Sequence, residues 1–149
     1  GSRNSPTASY SAYIPPFRFN RNNQGFSGGL FVDGRADTLE EQAKIPFTNP
    51  LEMNNPDLNS VVDKVSQTSY ATSFTAIFGV NAFADPQTAF NQIAEAIAAY
   101  ERSTALSPFN SKFDAVAAGL DTFSQAEQRG RNLFFGRAGC SRCHRGSPP

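Results

Sequence analysis

Apolar residues fall without a repeat up to about residue 36 and then settle into helical spacing for the rest of the chain. In the first stretch Pro15-Pro16, the run from Asn20 to Asn23 and Gly28-Gly29 interrupt any period, which predicts long irregular structure over 1–36. Residues 37–149 are expected to be helical. Thr38 and Glu41 form a capping box ahead of Leu39 to Lys44, and Pro46 should stop that short helix. Asn55 is placed to cap the next helix, with Pro56 at its first position and Leu58, Val61, Val62 and Val65 as its buried stripe. Ser69 to Phe78 reads as a further helix closed by Gly79.

Asp85-Pro86 opens the longest predicted helix, which runs to about Leu106 with Phe90, Ile93, Ile97 and Tyr100 inward. Ser107-Pro108 starts another, through Phe109, Phe113, Val116 and Leu120. Ser124 and Glu127 make a second capping box, and the helix they begin ends at Gly136. Its face of Ala126, Gly130, Leu133 and Phe134 includes a glycine that invites close approach, most simply by a neighbouring helix. No segment alternates as a strand and no repeat is visible, so the fold class is all-α with long loops.

Composition narrows the function classes. A chain of 149 residues suits one domain, and its thirteen basic and thirteen acidic residues cancel. No global field therefore draws it to nucleic acid or an anionic membrane. No apolar run reaches the length of a membrane span, and no secretory leader is visible, as expected of an exported chain after cleavage. Fourteen Phe and no Trp supply large apolar area without a polar atom, suited to a core or to the walls of a crevice.

The chemistry concentrates at Cys140-Ser141-Arg142-Cys143-His144, which matches the C-x-x-C-H pattern for haem attachment. Two thiols at this spacing reach the vinyl groups of one porphyrin, and the following imidazole lies where it can bind the iron. Competing readings fit less well. A thioredoxin-like pair wants a preceding strand in a βαβ setting. Structural zinc needs four ligands, and Cys140, Cys143 and His144 are the only soft ones in the chain. A disulfide across two residues would close a tiny loop and stabilise little. Covalent haem c is attached outside the cytoplasm in bacteria, so the motif predicts a periplasmic or extracellular protein.

His144 is the sole histidine, which excludes bis-His ligation within the chain. Met53, the sole methionine, is a candidate sixth ligand or a packing residue. Only five residues follow His144, so the sequence reads as an internal piece of something larger.

Several stretches together resemble the bacterial di-haem cytochrome c peroxidase family, which includes MauG-type enzymes. They are Asp33-Gly34-Arg35-Ala36 with Leu39 to Ala43, Asn49-Pro50-Leu51-Glu52-Met53, and Ala96 to Arg102. Ser107-Pro108-Phe109, Glu127-Gln128-Arg129-Gly130 with Leu133-Phe134, and Gly139 to His144 follow in the family's order. The resemblance implies cytochrome c-like helical lobes, each holding one haem c. Residues 1–36 would end the first lobe, and 37–149 would lead into the second haem motif. The first haem and the later sixth ligand would come from sequence outside this chain.

By the same resemblance Gln42 and Glu52 correspond to the glutamine and glutamate of the peroxide pocket. The residues argue likewise: splitting peroxide needs a group that takes a proton from one oxygen and returns it to the other. With no spare histidine, that duty falls to a carboxylate. The plain alternative is a solvated acid near a helix end. Arg35 fits a haem-propionate partner or an ion pair with Asp33 or Asp37. Asn4 resembles the family's asparagine at a calcium site between the haems, and also fits a simple Asn turn. Val32 stands where most members carry a tryptophan that relays electrons, and a saturated side chain cannot be oxidised as a stepping stone.

Three functions are expected to compete. The leading one is peroxide reduction to water with electrons from a small redox protein, of cytochrome c or cupredoxin type, entering at the haem of His144. The second is MauG-type oxidation of a partner protein, which Val32 disfavours. The third is a pure electron carrier in a multihaem assembly.

Overall fold

The structure, a computed structural model, describes residues 5–21 and 24–144. The chain divides into two compact units, the first ending at Ser107 and the second starting at Pro108.

The first unit begins with irregular backbone around a short hairpin. Strands β1 (Arg18–Asn20) and β2 (Gly25–Ser27) pair antiparallel, with Phe19 opposite Phe26. No strand was expected here, because three residues are too few to display an alternating period. Phe26 stacks on Phe17 at 5.2 Å and meets Phe19 edge-on at 5.3 Å, so the hairpin carries its own aromatic cluster. Gly28 lies at φ 87°, and a Cβ there would collide with the carbonyl oxygens of Pro15 and Pro16. Only glycine lets the two segments run this close.

Helix α1 (Leu39–Thr48) opens with the expected Thr38–Glu41 capping box but continues through Pro46. Proline late in a helix removes one hydrogen bond, the donor to the Gln42 carbonyl. Tertiary packing outweighs that loss: Phe47 packs against the core and meets Phe90 edge-on at 5.7 Å. Helix α2 (Leu58–Ser66) is capped by Asp57, whose carboxylate accepts from the Ser60 amide at 2.8 Å. Asn55, expected as that cap, is instead buried between α1 and α2. Its Nδ2 donates to the Phe47 carbonyl at 2.8 Å, and its Oδ1 accepts from Lys64 Nζ at 2.6 Å.

Helix α3 (Ala71–Phe78) ends at Gly79 as expected. Helix α4 (Pro86–Glu101) starts with Asp85 accepting from the Thr88 amide at 2.9 Å and stops five residues short of Leu106. Its first half joins Val61, Val62, Phe74 and Ala82 through Ala89, Phe90 and Ile93. Its last half places Ala98 against Leu30, Ala36 and Leu39. Ile97 packs against the first cluster, whereas Tyr100, expected inward, is 61% exposed. A bidentate pair at 2.6 and 3.1 Å joins Arg102, just past α4, to Glu40 on α1.

The second unit contains α5 (Lys112–Ala117) and α6 (Gln125–Phe135), followed by a 3-10 turn at Cys140–Arg142. Ser111 and Asp114 form the capping box of α5, so that helix starts later than Ser107-Pro108 suggested, and Leu120 is 82% exposed beyond its end. Ser124 and Glu127 cap α6, and Gly136 closes it, both as expected. Among the described residues from 108 onward none is buried. The molecule is mostly helical, and none of its described helices is long and apolar enough to cross a membrane.

Candidate functional site

Among its described residues the second unit has no closed core, and its aromatic side chains face a cavity. Phe113 from α5, Phe123 from the connecting loop, and Phe134 and Phe135 from α6 line a space of about 500 Å³ that reaches His144. The lining is mostly apolar, and its polar groups are Glu127, Arg131 and the imidazole itself. A cavity of this size and character suits a flat, largely apolar cofactor with a few fixed polar contacts. The ring centres of Phe113 and Phe123 are 6.0 Å apart, and Phe134 lies 6.3 Å from the His144 ring.

The cysteine loop is wound tightly beside this space. Gly139 adopts φ 68°, which turns the chain sharply out of the segment after α6. The amides of Cys143 and His144 both donate to the Cys140 carbonyl, at 3.2 and 3.0 Å. Cys140 and Cys143 are exposed and carry free thiols. Gly130 also lines the cavity, and a Cβ there would meet nothing within 4 Å. Among the described residues the close neighbour expected at Gly130 is therefore not present, and the glycine faces open space. Thiols, imidazole and aromatic walls together are a donor set and shape that fit haem c.

In the first unit the predicted residues are dispersed. Gln42 is half-buried on α1 and lines a cavity of about 160 Å³ with Leu30, Phe31, Leu39 and Glu101. Glu52 does not line that cavity. It sits exposed on the turn after α1, where its carboxylate accepts from Asn49 Nδ2 at 2.7 Å. Met53 is exposed beside it, 57% accessible. Arg35 pairs with Asp33 at 2.8 Å and lies 3.6 Å over the Phe31 ring. It also borders a polar depression with Asp37, Glu41 and Lys44. Val32 is 66% exposed. Asn4 lies outside the described residues.

Sequence reasoning missed Glu101 here. One of its carboxylate oxygens is buried with no hydrogen-bond partner among the described residues, and burial raises its pKa, with Arg102 opposing and Glu40 reinforcing the shift. In the second unit it also missed Lys112 and Arg131, since a lone basic residue on a helix is too common a pattern to single out.

The sequence model for di-haem cytochrome c peroxidases matches residues 1–122. The chain belongs to the di-haem cytochrome c peroxidase family. It is 41% identical over 145 residues to the methylamine utilization protein MauG of Paracoccus denitrificans, covering 97% of this chain and 37% of that protein. It is 35% identical over 151 residues to the cytochrome c551 peroxidase of Pseudomonas aeruginosa, covering 98% of this chain and 37% of that one. The crystal structure of the diheme peroxidase BthA from Burkholderia thailandensis superposes with a TM-score of 0.85 at 34% identity, over 99% of this chain and 36% of that one. The chain thus spans little more than a third of the length of these relatives. Haem c is the cofactor of this family, and the mostly helical fold is that of its members.

Proposed function

We propose that this chain is part of a di-haem peroxidase that reduces hydrogen peroxide to water, two electrons and two protons being consumed for each peroxide. The observation that carries the reading is the apolar cavity of the second unit, which opens on His144 beside two free thiols. Cys140 and Cys143 hold the porphyrin through thioethers, and His144 binds its iron. Haem held there supplies one-electron transfer. Phe113, Phe123, Phe134 and Phe135 exclude water from it, and Gly130 leaves room for the ring. Electrons arrive from a small donor protein of cytochrome c or cupredoxin type, in the periplasm or outside a bacterial cell.

The peroxide-side chemistry falls to Glu52 and Gln42, with further sequence of the whole protein providing the first haem. Glu52 takes the proton from one peroxide oxygen and delivers it to the departing one, while Gln42 orients the substrate or solvent. The exposed position of Glu52 leaves its carboxylate accessible to solvent protons. Arg35 balances a propionate in addition to Asp33, and Asn4 contributes to a calcium site. In the full-length protein, Glu52→Gln is expected to lower peroxide turnover with a reduced donor by about 10²–10⁴-fold while both haems remain bound. Unchanged turnover would remove Glu52 from the chemistry. A wild-type protein that consumes no peroxide would be an electron carrier.

Identity of 41% to MauG favours a second reading, oxidation of a partner protein's side chain. Val32 opposes it, since a saturated side chain at that point cannot relay an electron. Mass spectrometry of the partner after peroxide treatment distinguishes the two.

A further inference from the structure

Glu127 joins the starts of two helices at the edge of the haem cavity. Its Oε2 accepts from the Ser124 amide at 2.7 Å, completing the cap of α6, and from Lys112 Nζ, also at 2.7 Å. Lys112 is the first residue of α5. The residues next to these two anchors, Phe113 and Phe123, are the aromatic pair on one wall of the cavity, and Glu127 itself lines that cavity. A single carboxylate oxygen thus couples a helix cap, an inter-helix ion pair and the cavity wall.

The pair also places opposite charges at the wall of the cavity that His144 lines, Glu127 on the lining and Lys112 paired with it. Hydrogen bonds from Lys112 and Ser124 hold the Glu127 carboxyl at a pKa of about 2, so it is ionised throughout the physiological range. Arg131, one turn further along α6, faces the same cavity, and Asp121 adds a negative charge near Lys112. Both partners of the pair are a little under half exposed, so their fields are screened by salt.

Building on the haem assignment above, we propose that Glu127 is a positioning residue for that haem. Through Lys112 and Ser124 it ties α5 to α6 and keeps Phe113 and Phe123 on the crevice, and its charge, balanced by Lys112, sets the potential of the iron. Oxidised iron carries one more positive charge than reduced iron, so a nearby anion favours the oxidised state and a nearby cation disfavours it.

The test is spectroelectrochemical titration of the full-length holoenzyme. Glu127→Gln leaves Lys112 unbalanced and is expected to raise the potential of the haem at His144. Lys112→Met leaves Glu127 unbalanced and is expected to lower it. The double variant should return towards wild type, Glu127→Asp should stay near it, and both single shifts should shrink as salt is raised. A merely structural role would move both single variants in the same direction. Shifts of one sign, or none, with haem still bound would overturn the inference alone. Absence of haem on Cys140 and Cys143 in the wild type, seen by mass spectrometry, would overturn the assignment beneath it as well. If Glu127→Gln does not fold, Lys112→Met carries the test by itself: its downward shift should shrink as salt is raised, and a shift indifferent to salt would overturn the inference.

Discussion

Helices α2 and α4 of the first unit bury Val61, Val62, Ala89, Phe90 and Ile93 against one another, whereas α5 and α6 of the second bury none of their residues. Both units are rich in phenylalanine. In the first, Phe47 and Phe90 interlock across helices. In the second, Phe113, Phe123, Phe134 and Phe135 line open space. The first unit encloses its own core. The second is built around an open apolar volume, and a haem bound there, as proposed above, would add its binding to the folding free energy of that unit. Hydrophobic content alone does not separate the two cases; the direction in which the side chains point does.

The largest break in this contrast should come from Cys140→Ser combined with Cys143→Ser. The full-length protein is expected to lose one covalent haem per chain by haemochrome assay. Amide exchange should then speed up in α5 and α6 while α4 stays protected, because only the second unit depends on the group. Equal protection in both units would remove the distinction.

Phe90→Ala attacks the other side. Phe90 is 7% exposed within the first core, and its truncation should cost about 3–5 kcal/mol in denaturant unfolding followed by helical signal. The Soret band of the haem at His144 should remain. A smaller loss, about 1 kcal/mol, is expected for Asn55→Ala, which removes the acceptor of Lys64 Nζ and one of two hydrogen bonds to the Phe47 carbonyl, the Asn55 amide keeping the other.

The smallest effects concern two neighbouring acids in the first unit. The hydrogen bond from Arg102 holds the Glu40 carboxyl below its ordinary value of 4.5. Its contribution is therefore present above that value and lost as pH falls through the depressed pKa. The pair is partly exposed, so Glu40→Gln should cost under about 1 kcal/mol at neutral pH and nothing in strong acid. Glu101 has the opposite sign: burial raises its pKa, so its contribution is present in acid and lost as pH rises through that raised value. Glu101→Gln should slightly stabilise the unit at neutral pH, measured by unfolding across pH.

Local chemistry in the chain was enough for the helix starts at Thr38, Asp85 and Ser124, because a cap needs only a side-chain oxygen and an amide three residues on. The C-x-x-C-H loop was equally legible, since both thiols and the imidazole lie within five consecutive residues. The buried stripes of α2 and the first half of α4 followed from their period alone.

Other features depend on partners distant in sequence. Asn55 and Asp57 are comparable caps by type, and only the contact with Phe47 and Lys64 takes Asn55 away from that role. Pro46 would end an isolated helix, yet α1 passes it because Phe47 gains a place beside Phe90. Tyr100 keeps the spacing of an inward residue, but the last turns of α4 bury Ala98 against Leu30, Ala36 and Leu39 and leave Tyr100 on the exposed side. The crevice is the fullest example: its walls come from α5, a loop, α6 and the cysteine turn, and no linear pattern records that four such segments surround one space. Spacing along a chain encodes which residues share a face of one helix, while a cavity exists only where several such faces are brought around the same volume.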